Sequence, residues 1–597
     1  MPSVPAAGRG FLLPALAVLL VGLALHLALA LRPGGVIQSG RLPDTDAYTR
    51  TLRIERLATT GDWHDSTLPQ LNAPGGLSLH WTRPLDVLVL APALAVAAAG
   101  VELRSAIFWT GAALPPLVHL LCAFAAAWAA RAVWPGPAAW FAAGAILLNP
   151  VIGFAYGAFG QTDHHILVLL AALLALGAAL RALLDPAGHR FAVAAGGALG
   201  IGLWISPEML VLAVPVLTAF GAAWVLRPGL PGAEAGRQGC RAAVAMLATA
   251  AFALAIERPP ADWLSGDYDK LSAQHVLIAG LAAAAFAVLA AVPDRLARPL
   301  RLALGLATAA AAAALLLAAY PGALRASEAA ADPDVAVLFL PHVAEMQPLR
   351  LSLHGAHDLL LYAGGLVGVL VLPALLRQGR WPAAVVLALA MATTGAATLL
   401  HRRFAIDLAA VTALAAPGFV LLASRIGPKL VRAPALAAAM LLAVAPPFAG
   451  LAFPADDARQ REARACDWPG LADWLAAAPL PAGPRPLIVT DSWRATPELA
   501  WRTPYLFVVS PYHRAGDGFR DTADTFNATE DAIARAILAR RGATHLLLCT
   551  AARPAWHGPA EPGQLSARLS AGATPAWLTP VALPPTLPTF RLLRIEP

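Results

Sequence analysis

The chain has 597 residues, 58% of them hydrophobic and only 13% charged, with a formal net charge of +7. Soluble domains carry about a quarter charged residues, so a soluble globular protein is excluded as the class for most of the chain. The positive balance does not point to nucleic acid either, because Arg is scattered through short connectors between apolar runs and forms no long basic stripe.

A membrane span needs roughly 20 apolar residues, and cytoplasmic connectors are the ones that collect Lys and Arg. The first apolar run, Phe11 to Leu31, reads as a retained helix and not as a removed signal peptide. Spans are expected near 11–31, 105–130, 135–155, 164–183, 190–206, 208–226, 240–256, 272–292, 302–320, 357–376, 382–400, 404–424 and 433–453, about thirteen transmembrane helices in all. With the amino terminus and Arg9 in the cytoplasm, the connectors bearing Arg131, Arg181, Arg190, Arg227, Arg237, Arg241, Arg295, Arg298, Arg301, Arg377, Arg380, Arg425, Lys429 and Arg432 all fall on the cytoplasmic side. The run Leu85 to Ala99 is apolar but short, and counting it as a span would invert every later connector. It is expected as a re-entrant or interfacial helix. Segments 32–104, 156–163 and 321–356 then face outward, as does everything after Phe453. The expected location is the cell (inner) membrane, with a periplasmic or extracellular C-terminal part.

Residues 1–453 thus read as a polytopic α-helical membrane domain and residues 454–597 as an extracytoplasmic α/β domain. In the latter, Pro486 to Thr490 and His545 to Cys549 read as buried strands, and Thr529 to Arg541 as an amphipathic helix with Thr529 as its cap. Of four cysteines, Cys466 and Cys549 lie in this domain, where an oxidising compartment would allow them to pair.

Acidic residues gather on the expected outer side: Asp44 and Asp46 after the first span, Asp163 with His164 and His165 at the start of the fourth, and Glu345 in the long loop. Together they could hold a hard divalent cation, Mg²⁺ or Mn²⁺, which would offset the charge of a phosphate leaving group. Each has a plainer alternative. Asp46 and Asp163 also stand where helix caps stand, Glu345 fits a solvated loop, and adjacent histidines on a helix point about 100° apart, so one of the pair is expected to be structural. His401, Arg402 and Arg403 sit at an outer helix junction, either snorkelling to headgroups or clamping a lipid-linked phosphate. Trp204, Pro207 and Glu208 read as a helix-end turn with an aromatic-belt residue.

At these motifs the chain resembles the catalytic subunit of oligosaccharyltransferase and its bacterial and archaeal single-subunit relatives, glycosyltransferases of the GT-C class that use lipid-phosphosugar donors. Asp46-Ala-Tyr48 with Arg53 and Glu55 is similar to the family's first acidic motif, and NAPGGLSLHWTRPLDVLVLA to its outer loop with an interfacial helix. Asp163-His164-His165 resembles the second acidic motif, HVAEMQP the loop motif ending in Glu, and RRFAIDLA the helix start bearing a donor-binding Arg. The resemblance implies Asp46, Asp163, His165 and Glu345 as metal ligands, Asp46 and Glu345 as catalytic, and Arg403, beside His401 and Arg402, at the donor phosphate. One motif departs: the strand PLIVT is followed by DSWRATPELAWRTPY, without the family's sequon-reading Trp-Trp-Asp-Tyr-Gly. Asp491 and Trp493 stand in that region, and Tyr512 and His513 lie in VVSPYHRAGDGF, a loop that faces the cleft or, as the default, forms a solvated turn.

The implied activity is transfer of a sugar or oligosaccharide from a polyprenyl phosphate or pyrophosphate carrier to a protein, glycan or lipid acceptor. A transporter or flippase of lipid-linked glycans, or a noncatalytic family member, are the alternatives.

Overall fold

The structure, a computed structural model, describes residues 12–185, 187–226, 232–324, 333–349, 364–425, 427–428, 430–438, 465–478, 480, 485–551 and 561–596. It is a polytopic helical membrane protein with a C-terminal α/β domain. Among the described residues, nine helices are long and apolar enough to cross a membrane. They match nine of the expected spans. The segment expected at 135–155 is instead a broken element: a short helix, Trp140–Leu148, ends at Asn149-Pro150 and gives way to a wide turn over Val151–Tyr156, because proline lacks the N–H that would continue the helix. The span expected at 190–206 is the helix His189–Ile205, 17 residues long. Part of the one expected at 357–376, most of the one at 433–453, and the proposed boundary at 453–454 lie outside the described residues.

Small residues let the bundle pack tightly. A Cβ at Gly196 would overlap the Ala242 carbonyl, and one at Gly200 would overlap Thr249, so His189–Ile205 and Gly232–Glu257 approach almost backbone to backbone. Such stripes of small side chains stand in for the hydrophobic drive that is missing between helices in lipid.

Between the first two long helices the chain forms the elements that carry the site. The amphipathic helix Thr45–Thr60 is followed by a hairpin of β1 (Thr67–Leu68) and β2 (Leu77–Ser78), and then by the helix Pro84–Ala98. At 15 residues the latter is about 22 Å long, short of a bilayer core of about 30 Å. Its first turn holds Asp86, fully buried, which pairs with Arg53 at 2.5 Å and Arg83 at 3.0 Å. Arg53 also donates to the carbonyls of Trp81 and Thr82. This buried network fastens the short helix to Thr45–Thr60, and Arg53 has that structural task.

The C-terminal domain is built on a five-stranded sheet in the order β4-β3-β5-β7-β6: β3 (Leu487–Thr490), β4 (Leu506–Phe507), β5 (His545–Cys549), β6 (Leu578–Val581) and β7 (Phe590–Ile595). β3 runs parallel to β4 and β5, while β7 is antiparallel to its neighbours. Both expected strands are present. The amphipathic helix starts at Asp531 with Glu530 at the cap position, not Thr529. Cys466 and Cys549 form a disulfide. The domain docks on the membrane part: Phe507 exchanges backbone hydrogen bonds with Gln70 and Ala73 of the β1–β2 loop, and the helix Thr496–Arg502 lies against Thr45–Thr60.

Candidate active site

Asp46 sits in the first turn of its helix, but the cap is Asp44, whose Oδ1 accepts from the Asp46 N–H at 3.0 Å. The alternative of Asp46 as a cap is therefore corrected. Its carboxylate accepts the Tyr512 hydroxyl at 2.6 Å, a bond that reaches from the C-terminal domain. Burial, followed by the negative charges of Asp44, Asp163 and Glu345, pushes the Asp46 carboxyl well above the usual range, against the Tyr512 hydrogen bond. Carboxylates from two distant segments, Asp163 and Glu345, thus act on Asp46.

Asp163 does not cap the next helix, which has no side-chain cap bond. Its Oδ1 lies 2.6 Å from His164 Nδ1, a nitrogen that Arg50 also approaches at 2.8 Å. Its Oδ2 lies 3.4 Å from His165 Nε2. Burial alone would raise the Asp163 carboxyl, but His164, His165 and Arg50 outweigh it and hold it well below the usual range. The two histidine rings stack at 4.4 Å between centroids, so the expected divergence of the pair does not occur: His164 precedes the regular helix and its ring folds back over Asp163.

Glu208 stands in the expected helix-end turn, but its ionic partners were not expected. It lies in the short turn Pro207–Met209, whose cap Ser206 accepts from the Glu208 N–H. Its carboxylate is 3.3 Å from His165 Nδ1 and pairs with Arg403. A chain of polar contacts Asp163–His165–Glu208–Arg403 results, linking the second acidic motif to the RRF motif. A carboxylate at the apolar start of a membrane helix was the signal available, since such residues are costly unless partnered. Trp204, expected in an aromatic belt, donates its indole N–H to Glu257 at 2.7 Å.

The Glu345 loop is pinned to the junction of two membrane helices. His401 Nδ1 contacts the Met346 carbonyl at 2.9 Å, the Arg402 N–H donates to the Gln347 carbonyl at 3.1 Å, and Arg403 reaches the Met346 sulfur at 3.2 Å. His401 is thereby committed to holding the loop, and the head of Arg403 joins the acidic chain through Glu208.

On the C-terminal side, VVSPYHRAGDGF is no solvated turn. Tyr512 is buried against Trp81, edge to face at 5.2 Å, and over the same Trp81 ring Arg50 stacks at 3.6 Å. His513 meets Asp269 of the loop between Gly232–Glu257 and Ala273–Ala291 at 2.5 Å, and Arg514 pairs with Asp267 and Asp269. Trp493 instead packs among Phe339 and Phe519, and Asp491 is buried at the end of β3.

The donor chemistry fits a divalent cation. Asp46, Asp163 and Glu345 would offer hard oxygens to such a cation and His165 a nitrogen; among the described residues, Asp163, His164 and His165 present donor atoms within 4.8 Å of one another. Asp46 is raised first by burial and then by the neighbouring negative charges, and a cation would relieve that second contribution.

No family model and no curated protein matches the chain. Solved structures do. The archaeal oligosaccharyltransferase AglB from Archaeoglobus fulgidus, in complex with an inhibitory peptide and a dolichol-phosphate, aligns with a TM-score of 0.73 and 16% identity, over 95% of this chain and 79% of that one. The apo form of the A. fulgidus enzyme gives 0.68 and 18%, over 90% and 69%. A complex of it with Zn and sulfate gives 0.65 and 17%, over 89% and 68%. The fold expected from the motifs, that of the GT-C oligosaccharyltransferases, is the fold the chain has.

Proposed function

We propose that the chain is a membrane glycosyltransferase that moves a sugar or oligosaccharide from a polyprenyl phosphate or pyrophosphate carrier to an acceptor, at the membrane face bearing the C-terminal domain. The observation that carries this reading is the convergence of Asp46, the Asp163–His165–Glu208–Arg403 chain and the Glu345 loop beneath Tyr512. The fold shared with an enzyme solved with dolichol-phosphate supports the donor class. We place the amino terminus in the cytoplasm of a cell (inner) membrane and the C-terminal domain outside.

Asp46, Asp163, His165 and Glu345 would hold Mn²⁺ or Mg²⁺, which when bound supplies positive charge against the leaving phosphate. Arg403, oriented by Glu208, presents its remaining guanidinium N–H groups to that phosphate. Asp46 and Glu345 orient the acceptor nucleophile and take up its proton. Trp81, Tyr512 and the stacked Arg50 close the site on the C-terminal side and exclude water. The acceptor lies between bundle and C-terminal domain; the absence of the sequon-reading motif leaves protein, glycan and lipid as candidate classes. A transporter of lipid-linked glycans fits less well, because the carboxylates meet at the C-terminal-domain end of the bundle and not midway along it.

The test is consumption of a labelled polyprenyl-linked sugar by purified protein with Mn²⁺ and candidate acceptors. Asp46→Ala and Asp163→Ala are expected to abolish transfer while leaving membrane insertion intact. Full activity in both would sink the assignment.

A further inference from the structure

A second group of donors meets where three distant segments converge, outside the Asp163–Arg403 chain. His80 follows β2, Asp269 lies in the loop between Gly232–Glu257 and Ala273–Ala291, and His513 comes from the C-terminal domain. Each offers one ligand atom, and these atoms lie within 4.8 Å of one another. His513 Nε2 is 2.5 Å from Asp269 Oδ2, and the rings of His80 and His513 face each other at 4.9 Å between centroids. Asp269 and His513 are buried. His80 Nδ1 is shielded from solvent without a hydrogen-bond partner among the described residues, an arrangement that is unfavourable unless something else occupies the nitrogen.

Asp269 also accepts from Arg514, which shares its guanidinium with Asp267, itself bonded to Arg258 at 3.0 Å. This does not exhaust it. A carboxylate has acceptor positions for a guanidinium and a metal together, and ligating carboxylates ordinarily carry such an outer hydrogen-bond partner. Two imidazoles and one carboxylate suit a borderline cation of the zinc class better than Mg²⁺ or Mn²⁺, whose sites are dominated by oxygen.

We propose that His80, Asp269 and His513 form an interdomain metal site for a zinc-class cation, separate from the carboxylate-rich set around Asp46. Three protein donors leave a fourth position for water or a ligand. Because Tyr512 adjoins His513, filling this site fixes the loop that lays the Tyr512 hydroxyl on Asp46. The site stands independently of the glycosyltransferase reading.

Full-length protein in detergent, stripped with chelator, would be dialysed against Zn²⁺ at rising free concentration and its metal content measured by mass spectrometry. Co²⁺ would then replace Zn²⁺ so that nitrogen ligation is read from visible absorption bands. His80→Ala and His513→Ala are each expected to lose one equivalent, or to bind it at least roughly tenfold more weakly, and to lose its bands, while Asp163→Ala, which disables only the separate carboxylate-rich set, keeps the equivalent and bands that the two His variants lose. Should His513→Ala fail to fold, His80→Ala, whose Nδ1 has no hydrogen-bond partner among the described residues, carries the test alone. Wild-type stoichiometry and bands in the His80 variant, or their loss only in Asp163→Ala, would overturn the proposal.

Discussion

Replacing Glu208 with Gln keeps the side chain's length and removes its charge. Glu208 lies 3.3 Å from one nitrogen of His165, while the other nitrogen faces Asp163 at 3.4 Å. Held between two carboxylates, the ring has its orientation and proton distribution set from both ends. Loss of such an outer partner typically costs a metal site 10–100-fold in affinity, which is about 1.4–2.7 kcal/mol. Glu208→Gln is therefore expected to raise the Mn²⁺ concentration that half-saturates donor consumption by about 10–100-fold. Arg403, which pairs with Glu208, would also be left without its counter-charge, so a weaker hold on the donor accompanies the metal effect. The assay is a Mn²⁺ titration of consumption of a labelled polyprenyl-linked sugar at several donor concentrations, with Glu208→Asp as the conservative comparison. An unchanged half-saturating Mn²⁺ concentration in Glu208→Gln would refute the reasoning that Glu208 orients His165.

Three further outcomes follow from buried charge and chain connectivity. In metal-free protein the folded Asp46 carboxyl sits above its unfolded value, so its contribution to stability is full below about pH 4 and is lost as pH rises through the folded value. Unfolding midpoints measured without metal should fall on that rise, less so in Asp46→Asn, and recover with Mn²⁺; identical profiles for both proteins would count against the crowding of carboxylates. Asp86→Ala strands two buried guanidinium groups, Arg53 and Arg83, and should cost about 3–5 kcal/mol in mixed-micelle unfolding, with part recovered by adding Arg53→Met; a cost near zero would contradict the pairing. Opening the Cys466–Cys549 link, which closes a separation of 83 residues, should destabilise the C-terminal domain by about 4.5 kcal/mol on chain-entropy grounds, measured as a shift in denaturant midpoint between the intact protein and a double Cys→Ser variant.

Much of the architecture was legible because the forces behind it are local. Apolar runs of membrane length, such as Leu103–Ala130 and Arg298–Ala319, announce themselves by composition, and the 15-residue Pro84–Ala98 helix drops out as a span because it is short and would invert every later basic connector. The strands Leu487–Thr490 and His545–Cys549 were equally clear from short apolar runs. The break after Leu148 was harder, since the apolar residues on either side of Asn149-Pro150 keep the segment's mean hydropathy high, and a proline inside a membrane helix kinks it as often as it ends it.

The site was legible in its parts and not in its assembly. Asp46, Asp163, Glu345 and Arg403 stand in motifs whose order along the chain could be read directly. Whether Asp44 or Asp46 caps the helix depends on a two-residue difference in backbone conformation that composition does not encode. Glu208 looked like a helix-end residue because its partners, His165 and Arg403, lie 43 positions before it and 195 after it. Tyr512 looked like part of a turn because the carboxylate it reaches is 466 residues away. The sequence alone determined a membrane bundle with acidic motifs and an appended α/β domain, through periodicity and burial that act over a few turns of chain. Only the tertiary structure decided which charges meet, since a buried carboxylate is satisfied by whatever donor the packing of distant helices brings within hydrogen-bond reach.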